Sequence, residues 1–282
     1  MTLSSLVDKA APTRRVVFRT RGNQHGPVTR LMSPSDLGEL LRPFVFLDLI
    51  DRRSTSPTGF GLHPHSGIAT LTWIMEGSVG YEDTLGRTGQ ISQGGVEWMH
   101  AGAGAWHGGD FGESERLRGF QVWIALPPEA ELGQAESIYL EPDVIEHDGP
   151  VTVLLGGYGA AKSAIQSPSP INYLSVKLRA GERWRYHPPE GQTVGWMAVS
   201  VGRLFTPDAL HAGELAIFDE SDDAIEFHAE TDTEFVLGSA VKHPHDLVLG
   251  YYSVHTSVAA LREGEARIRK IGTRLRKEGR LR

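Results

Sequence analysis

A regular series of short β-forming segments separated by glycine turns constrains the fold of this chain most strongly. From residue 68 onward, runs rich in Val, Ile, Thr and aromatic residues alternate with turns that contain Gly; the runs read IATLTWIM, VGYED, QISQGGVEWMH and LRGFQVWIAL. Short strands joined by tight turns are typical of antiparallel sandwiches and barrels. The 33 Gly and 16 Pro among 282 residues agree with many turns. We therefore predict an all-β fold.

The second half of the chain repeats the pattern of the first half. HPHSGIATLTW, which starts at His63, aligns with HPPEGQTVGW, which starts at His187, with one residue deleted. Segments 211–218 and 225–238 then take the places of SQGGVEWM and of the strand pair around His107. A Pro-flanked acidic stretch at 127–144 is typical of a linker. We predict two tandem copies of one barrel, residues 1–138 and residues 139–282.

Residues 257–278 break the β pattern and predict an amphipathic helix at the end of the second copy. Apolar residues fall at intervals of three or four, and Ser257 stands at the N-cap position. A surface helix explains its many Arg and Lys residues. The net charge of -7 gives the chain no general attraction for nucleic acid or anionic lipid. We expect neither a nucleic-acid partner nor a membrane partner.

Two further features bear on location and chemistry. No segment stays apolar over the roughly 18–20 residues that a membrane helix needs, and MTLSSLVDKA has neither the basic start nor the apolar core of a signal peptide. We therefore expect a cytoplasmic protein. The sequence contains no Cys, which excludes disulfides, thiolate metal sites and thiol nucleophiles. Any metal must be bound by nitrogen and oxygen atoms.

Two histidines separated by one proline open the first repeat. Side chains alternate between the faces of a strand, so His63 and His65 project to the same side. Pro64 cannot donate a ladder hydrogen bond, which places the pair at the start or edge of a strand near a barrel mouth. His107 follows the Gly-rich turn AGAGAW and is the expected third metal ligand. The alternative is that these are surface histidines in a chain that has 12.

The segment from about residue 30 to residue 130 resembles the pirins, a family of two-barrel cupin proteins. The resemblance rests on HPHSGIATLTWIMEG, DTLGRTGQISQGGVEWMHAGAGAWH and GFQVW, which follow the family patterns HPHxGxxTxTxxxxG, DxxGxxGxxxxGxxxWMxAGxGxxH and GxQxW. It implies two jelly-roll barrels, with iron held in the first barrel by three His and one Glu. His63, His65 and His107 occupy the three His positions.

The chain departs from the family pattern at both expected carboxylates. Gly109 replaces the Glu that should follow the third His by two residues, and Ala69 replaces a second acidic position. Three neutral imidazoles leave the ion's charge uncompensated, which disfavours iron(II) and manganese relative to copper and zinc. The sequence therefore does not decide the identity of the metal among iron, nickel, copper, zinc and manganese. Asp110 would reach the site only through a bulge. Glu97 and His100 are weaker candidates, and Glu97 is expected to be solvated or paired with an Arg.

Other candidate residues have less support. In the second repeat Pro189 replaces the second His, so three residues are not expected to form a complete site: His187, His228 and Glu230. A second HPH lacks the glycine and strand that follow the first, so two histidines are interpreted as loop residues: His243 and His245. Some aromatic residues could line a substrate pocket, although barrel core is the safer assignment for most of them: Trp73, Trp98, Trp106, Phe111 and Trp123.

The resemblance implies three alternative functions. Some pirins cleave flavonols such as quercetin with dioxygen, so the first interpretation is a metal-dependent dioxygenase with a small aromatic substrate. A site without the family Glu then needs another general base. The second interpretation is a non-catalytic regulatory protein whose metal or redox state is recognised by a protein partner. The third is a small-molecule binder that has lost the metal.

Overall fold

The structure, a computed structural model, describes residues 13–54, 59–111 and 114–281. In these residues the chain is mostly β, with two seven-stranded sheets, two four-stranded sheets and two short hairpins. The predicted all-β class is confirmed. MTLSSLVDKA, in which we expect no signal peptide, lies outside the described residues.

The first barrel consists of a large and a small antiparallel sheet. The strands of the large sheet are β2 Asn23–His25, β3 Val28–Met32, β4 Phe44–Arg53, β6 Ile68–Glu76, β9 Val96–His100, β11 Arg116–Ala125 and β12 Glu136–Leu140. Those of the small sheet are β5 Gly59–His65, β7 Val79–Asp83, β8 Thr88–Ile91 and β10 Ala105–Asp110. Their spatial orders are β12-β9-β6-β11-β4-β3-β2 and β5-β10-β7-β8.

The second barrel is built in the same way. The strands of its large sheet are β1 Val16–Thr20, β13 His147–Asp148, β14 Val151–Leu155, β17 Ile171–Leu178, β19 Val194–Val201, β22 Leu215–Phe218 and β24 Thr233–Ala240. Those of its small sheet are β18 Arg183–Tyr186, β20 Arg203–Thr206, β21 Asp208–His211 and β23 Ile225–Ala229. The orders β1-β22-β19-β24-β17-β14-β13 and β18-β23-β20-β21 match the first barrel strand for strand. The predicted internal repeat is confirmed.

The remaining elements are short except for the last helix. The hairpin strands are β15 Gly157–Tyr158, β16 Ala161–Lys162, β25 Val248–Gly250 and β26 Ser253–His255. The helices are α1 Leu37–Leu41, a 3-10 turn at Pro142–Val144 and α2 Val258–Lys277. Within the described ranges, none of these helices is long and apolar enough to cross a bilayer.

One edge strand of each large sheet departs from the predicted division of the chain. β12 pairs with β9 at one edge of the first large sheet, and β1, from the start of the chain, pairs with β22 at the same edge of the second. The stretch expected to be a linker therefore carries β12, and the boundary at 138/139 falls inside this strand. Side-chain pattern does not reveal which sheet edge a strand joins, because edge pairing is made by backbone atoms. The division at 138/139 stays a prediction.

Arg14 anchors the incoming β1 segment to the second barrel. Its side chain is 1 % exposed and donates three hydrogen bonds to backbone carbonyls: Asp223 (3.0 Å), Thr193 (3.0 Å) and Gln192 (2.9 Å). A buried guanidinium needs such acceptors, because an unpaired charge is costly away from water.

The outer faces of the two large sheets share an apolar core. Trp98 and Val122 of the first barrel and Tyr173 of the second belong to one buried cluster. Phe44 meets Trp196 edge to face across it, with ring centroids 5.3 Å apart. This core leaves the opposite face of each large sheet to line the interior of its own barrel, because strand side chains alternate.

Helix α2 packs on the first barrel, although the sequence division groups it with the second. Ser257 caps it as predicted, with Oγ accepting from the Ala260 amide at 3.1 Å. The carbonyl of Ile268 accepts from Nε1 of Trp106 at 3.0 Å. The predicted helix is confirmed, but its docking site follows from tertiary contacts that its own residues do not specify.

Gly264 on this helix packs closely against the first barrel. A Cβ there would stand 2.5 Å from His255 Nε2 and 2.5 Å from Ser66 Oγ. Replacing Gly with Ala inside a helix ordinarily raises the free energy of unfolding by about 1 kcal/mol. We expect Gly264→Ala instead to lower the free energy of unfolding by about 1–3 kcal/mol, as overpacking does. Urea unfolding measures the change, and a gain in stability would contradict the described packing.

Candidate metal centre

Three histidines meet where β5 and β10 pair. The register puts His107 opposite His63 and Ala105 opposite His65, so His65 lies diagonally across from His107. The ring centroids are 4.6 Å apart for His63 and His107, 5.0 Å for His63 and His65, and 5.1 Å for His65 and His107. One ligand atom from each residue lies within 4.8 Å of the other two. The structure thus brings together the three histidines that the sequence singled out.

The pair lies on an edge strand, one of the two positions predicted. β5 is at the edge of the small sheet, and His63 and His65 lie near its end. Pro64 is buried and costs no ladder bond at an edge.

The hydrogen bonds of the rings leave Nε2 free toward the cluster. Each Nδ1 faces one oxygen: Gly61 O for His63 (2.9 Å), Tyr252 O for His65 (3.2 Å) and Glu97 Oε1 for His107 (2.7 Å). When Nδ1–H donates, Nε2 carries the lone pair. The buried Nε2 atoms of His65 and His107 have no hydrogen-bond partner among the described residues. Convergent, unpartnered imidazole nitrogens fit a transition-metal ion.

Burial favours the neutral form of His63 and His65, the form in which an imidazole binds a metal. Burial, and then the nearby charge of His107, lowers the pKa of His63 from its ordinary 6.5 to about 4. Burial lowers the pKa of His65 well below its usual value, and His63 and His107 lower it further. A metal therefore has little competition from protons here near neutral pH.

Glu97 corrects one expectation from the sequence. It is 6 % exposed and bonded to His107, and is neither solvated nor paired with an Arg. Burial alone would raise the pKa of Glu97, but the charge and hydrogen bond of His107 and a hydrogen bond from Thr72 lower it below its usual value. The alternation of side chains along β9 was the sequence signal that could have placed Glu97 inside the barrel. Val96 and Trp98 face the core between the barrels, which turns Glu97 to the barrel interior.

The other sequence candidates do not join the cluster. A register shift does occur between His107 and Gly109, yet Asp110 is exposed at the end of β10 and lies outside the group of converging ligand atoms. His100 is half-buried at the end of β9 and bonds to the backbone of Ala130. Two histidines lie in a loop, as predicted, and the second of them is exposed: His243 and His245.

Gly109 occupies the position at which the family pattern has its Glu, and it is tightly enclosed. A Cβ at Gly109 would stand 2.4 Å from the carbonyl oxygen of Gly80 and 3.1 Å from a methyl carbon of Val79. Any side chain at residue 109 therefore requires β7 and β10 to move apart.

A row of polar side chains crosses the interior face of the first large sheet. Each residue of this polar row is paired with the next one on the neighbouring strand. The row consists of Arg30, Asp48, Gln121, Thr72 and Glu97. Arg30 forms an ion pair with Asp48, and Nε2 of Gln121 donates to Oγ1 of Thr72 at 3.1 Å. The polar row ends at the carboxylate that holds His107.

The second barrel has an apolar row on the corresponding strands. Its paired residues are all buried: Val153, Leu174, Leu237, Met197 and Ala216. His187 and Glu230 are exposed, His228 is half-buried, and Glu230 pairs with Arg203. The described interior of this barrel is packed like a core.

A cavity of about 700 Å³ opens beside the cluster and includes His63 in its lining. Phe46 and Trp123 stack in its wall with ring centroids 4.0 Å apart. Arg30 and Asp48 line it as well, and burial raises the pKa of Asp48 even though Arg30 lowers it. Of the aromatic residues proposed for a pocket, Trp123 lines this cavity, whereas the others are buried in packed regions: Trp73, Trp98, Trp106 and Phe111.

The β25–β26 hairpin covers one side of the cluster. Tyr252 in its turn has φ of 51°, a left-handed conformation that is uncommon for residues other than Gly. Tyr252 contacts two histidines of the cluster in this conformation. Its carbonyl accepts a hydrogen bond from His65, and its ring centroid lies 5.8 Å from that of His63.

Fold and cluster together define a bicupin with a histidine-based candidate metal site in its first barrel. The pirin family model matches residues 26–124. A pirin-like protein of Caulobacter vibrioides is 31 % identical over 226 residues, which cover 74 % of this chain and 79 % of the relative. This chain belongs to the pirin family.

Two solved structures are similar to most of the molecule. The quercetin 2,3-dioxygenase of Acinetobacter baumannii is 26 % identical, with a TM-score of 0.82 over 90 % of this chain and 96 % of that one. The bacterial pirin YhhW of Escherichia coli, solved in complex with nickel(II), is 20 % identical, with a TM-score of 0.65 over 80 % and 99 %. The second likeness concerns the fold alone.

Proposed function

We propose that this protein is a metal-dependent dioxygenase of the pirin type that acts on a flavonol-like aromatic substrate such as quercetin. The observation that carries the proposal is the cavity of about 700 Å³ that includes His63 and is walled by Phe46 and Trp123. Its size lies within the usual range for small-molecule sites. The structural likeness to the Acinetobacter quercetin 2,3-dioxygenase supports this substrate class.

We assign His63, His65 and His107 as the protein ligands of one divalent transition-metal ion, bound through Nε2. The unpartnered Nε2 atoms of His65 and His107 support this assignment. Iron is the metal that family resemblance favours, nickel is bound by the Escherichia coli pirin, and an all-nitrogen donor set also suits copper and zinc. When bound, the ion would supply Lewis acidity, and a redox-active ion such as iron or copper would also supply the electron exchange that oxygen chemistry requires.

Three residues that line the cavity bind and deprotonate the substrate: Phe46, Trp123 and Asp48. The stacked Phe46 and Trp123 offer an apolar wall to a planar ring. Asp48 takes the role of general base that Gly109 cannot fill, since its carboxylate lines the same cavity and its pKa is raised by burial. A pKa closer to neutrality makes a carboxylate a better base. Arg30 beside it balances its charge.

Oxygen uptake tests this proposal. Protein purified without a His tag, stripped of metal and loaded anaerobically with iron(II), nickel, copper or manganese, is expected to consume dioxygen when quercetin is added. Asp48→Asn is expected to slow the reaction about 10²-fold, the lower range for loss of a general base. Asp219→Asn, which lies in the second barrel, serves as the control and should react like the wild type. Uptake with none of the loaded metals would contradict the proposal.

A regulatory protein that acts through a protein partner is the second candidate. Gly109 is the observation that favours it, because the family carboxylate is missing from the centre. Metal binding without oxygen uptake would support this function. Less than about a tenth of an equivalent of any transition metal in purified protein would indicate a metal-free binder instead.

A further inference from the structure

We propose that Glu97 supplies the negative charge of the metal centre from behind His107, in place of the carboxylate missing at Gly109. Glu97 is then a positioning residue that acts through its neighbour and not a ligand. The inference rests on the proposed assignment of His63, His65 and His107 as metal ligands, and metal-binding measurements on separate variants distinguish failure of the inference from failure of that assignment.

The contact between Glu97 and His107 carries the inference. Oε1 of Glu97 accepts from Nδ1–H of His107 at 2.7 Å, and the two residues are 6 % and 3 % exposed. A charge-assisted hydrogen bond in such a buried place is strong. A carboxylate on the far nitrogen of a ligating imidazole fixes its tautomer and makes Nε2 a more basic ligand.

The surroundings of Glu97 hold it as an acceptor. A hydrogen bond from Thr72 reaches its carboxylate, Gln121 Nε2 donates to Thr72 Oγ1 at 3.1 Å, and Trp123 Nε1 donates to Gln121 Oε1 at 3.3 Å. Every donor in this series of hydrogen bonds points toward Glu97. His107, Thr72 and His63 lower the pKa of Glu97, and its charge also acts on Tyr81 and Tyr139; none of these side chains is a permanent cation. A divalent ion at the histidine cluster would balance its charge.

The second barrel provides an internal comparison. Segment 211–218 repeats SQGGVEWM, and in this repeat Ala216 corresponds to Glu97. Ala216 is fully buried in the apolar row. A buried carboxylate thus occupies this interior position in the barrel with the histidine cluster, and a methyl group occupies it in the barrel whose interior is apolar.

Metal binding by the full chain tests the role of Glu97. Metal-free protein is dialysed to equilibrium against buffered manganese(II) and, separately, zinc(II), and the dissociation constants are measured. Glu97→Gln keeps the shape and removes the charge, so we expect binding about 10- to 100-fold weaker, the usual effect of losing such a partner. Glu97→Asp changes the shape and keeps the charge, so it should bind more tightly than Glu97→Gln. Glu214→Gln in the second barrel changes the net charge equally and should bind like the wild type.

The order of the two variants distinguishes charge from packing. If Glu97 only filled space, the isosteric Gln would bind metal better than the shorter Asp, and this result would overturn the inference. So would a loss below about five-fold in Glu97→Gln. Circular dichroism and thermal unfolding of the metal-free variants establish that they fold. Should Glu97→Gln not fold, Glu97→Asp decides, and a folded Glu97→Asp without measurable binding would overturn the inference.

His63→Ala separates the two proposals, because His63 does not hydrogen-bond to Glu97. If His63→Ala binds metal like the wild type, the ligand assignment itself fails. If His63→Ala loses the metal while Glu97→Gln keeps wild-type affinity, the ligand assignment is supported and the inference about Glu97 fails.

Discussion

His63→Ala is expected to abolish retention of the transition metal while the barrel stays folded. His63 is one of three imidazoles whose ligand atoms lie within 4.8 Å of one another, and two remaining nitrogens cannot complete a site. Its ring borders the cavity and is not part of the packed core. The free energy of unfolding of the metal-free protein should therefore change by less than about 1 kcal/mol.

Metal analysis after dialysis against a weak chelator measures this loss. We expect about one equivalent per chain in the wild type and less than about a tenth in the variant. His245→Ala is the matched control, because His245 belongs to the second HPH of the sequence but is exposed in a loop. Retention of metal by His63→Ala at the wild-type level would mean that the ion binds elsewhere.

Arg14→Ala is expected to destabilise the second barrel strongly. Removing this side chain takes the donor from the backbone carbonyls of Gln192 and Asp223 and leaves that of Thr193 only the Ser221 amide, at 3.3 Å. Lost hydrogen bonds to a charged group in a buried place cost about 1.5–3 kcal/mol each at most, and solvent entry recovers part of this. We expect the free energy of unfolding to fall by about 3 kcal/mol.

Arg15→Ala is the neighbouring control for this prediction. The Arg15 side chain is 80 % exposed and forms a surface ion pair with Asp219, and pairs of this kind contribute at most about 1 kcal/mol. Urea unfolding compares the two variants. Hydrogen exchange should also increase in β22, the strand that β1 covers. Equal effects of the two substitutions, or unchanged protection of β22, would contradict the described anchoring of β1.

Much of the fold could be predicted from local pattern. Alternating apolar residues and glycine turns predict the strands of both barrels, because every second residue of a half-buried strand faces the core and is apolar. The repeat from His63 and His187 predicts two copies of one barrel, and the sheets of the two barrels have the same strand order. The spacing of apolar residues and Ser257 predict α2. The three clustered histidines also follow from strand alternation and from the family pattern.

Tertiary structure alone decided how distant segments meet. Residues 16–20 join the second barrel, β12 closes the first, and α2 packs on the first barrel, because backbone pairing and helix docking depend on complementary surfaces elsewhere in the chain. Tertiary structure also decided that Glu97 contacts the histidine cluster and that Asp110 does not. Alternation limits the face on which Glu97 lies, but its contact with His107 depends on how the large and small sheets are spaced, and no local pattern encodes that distance.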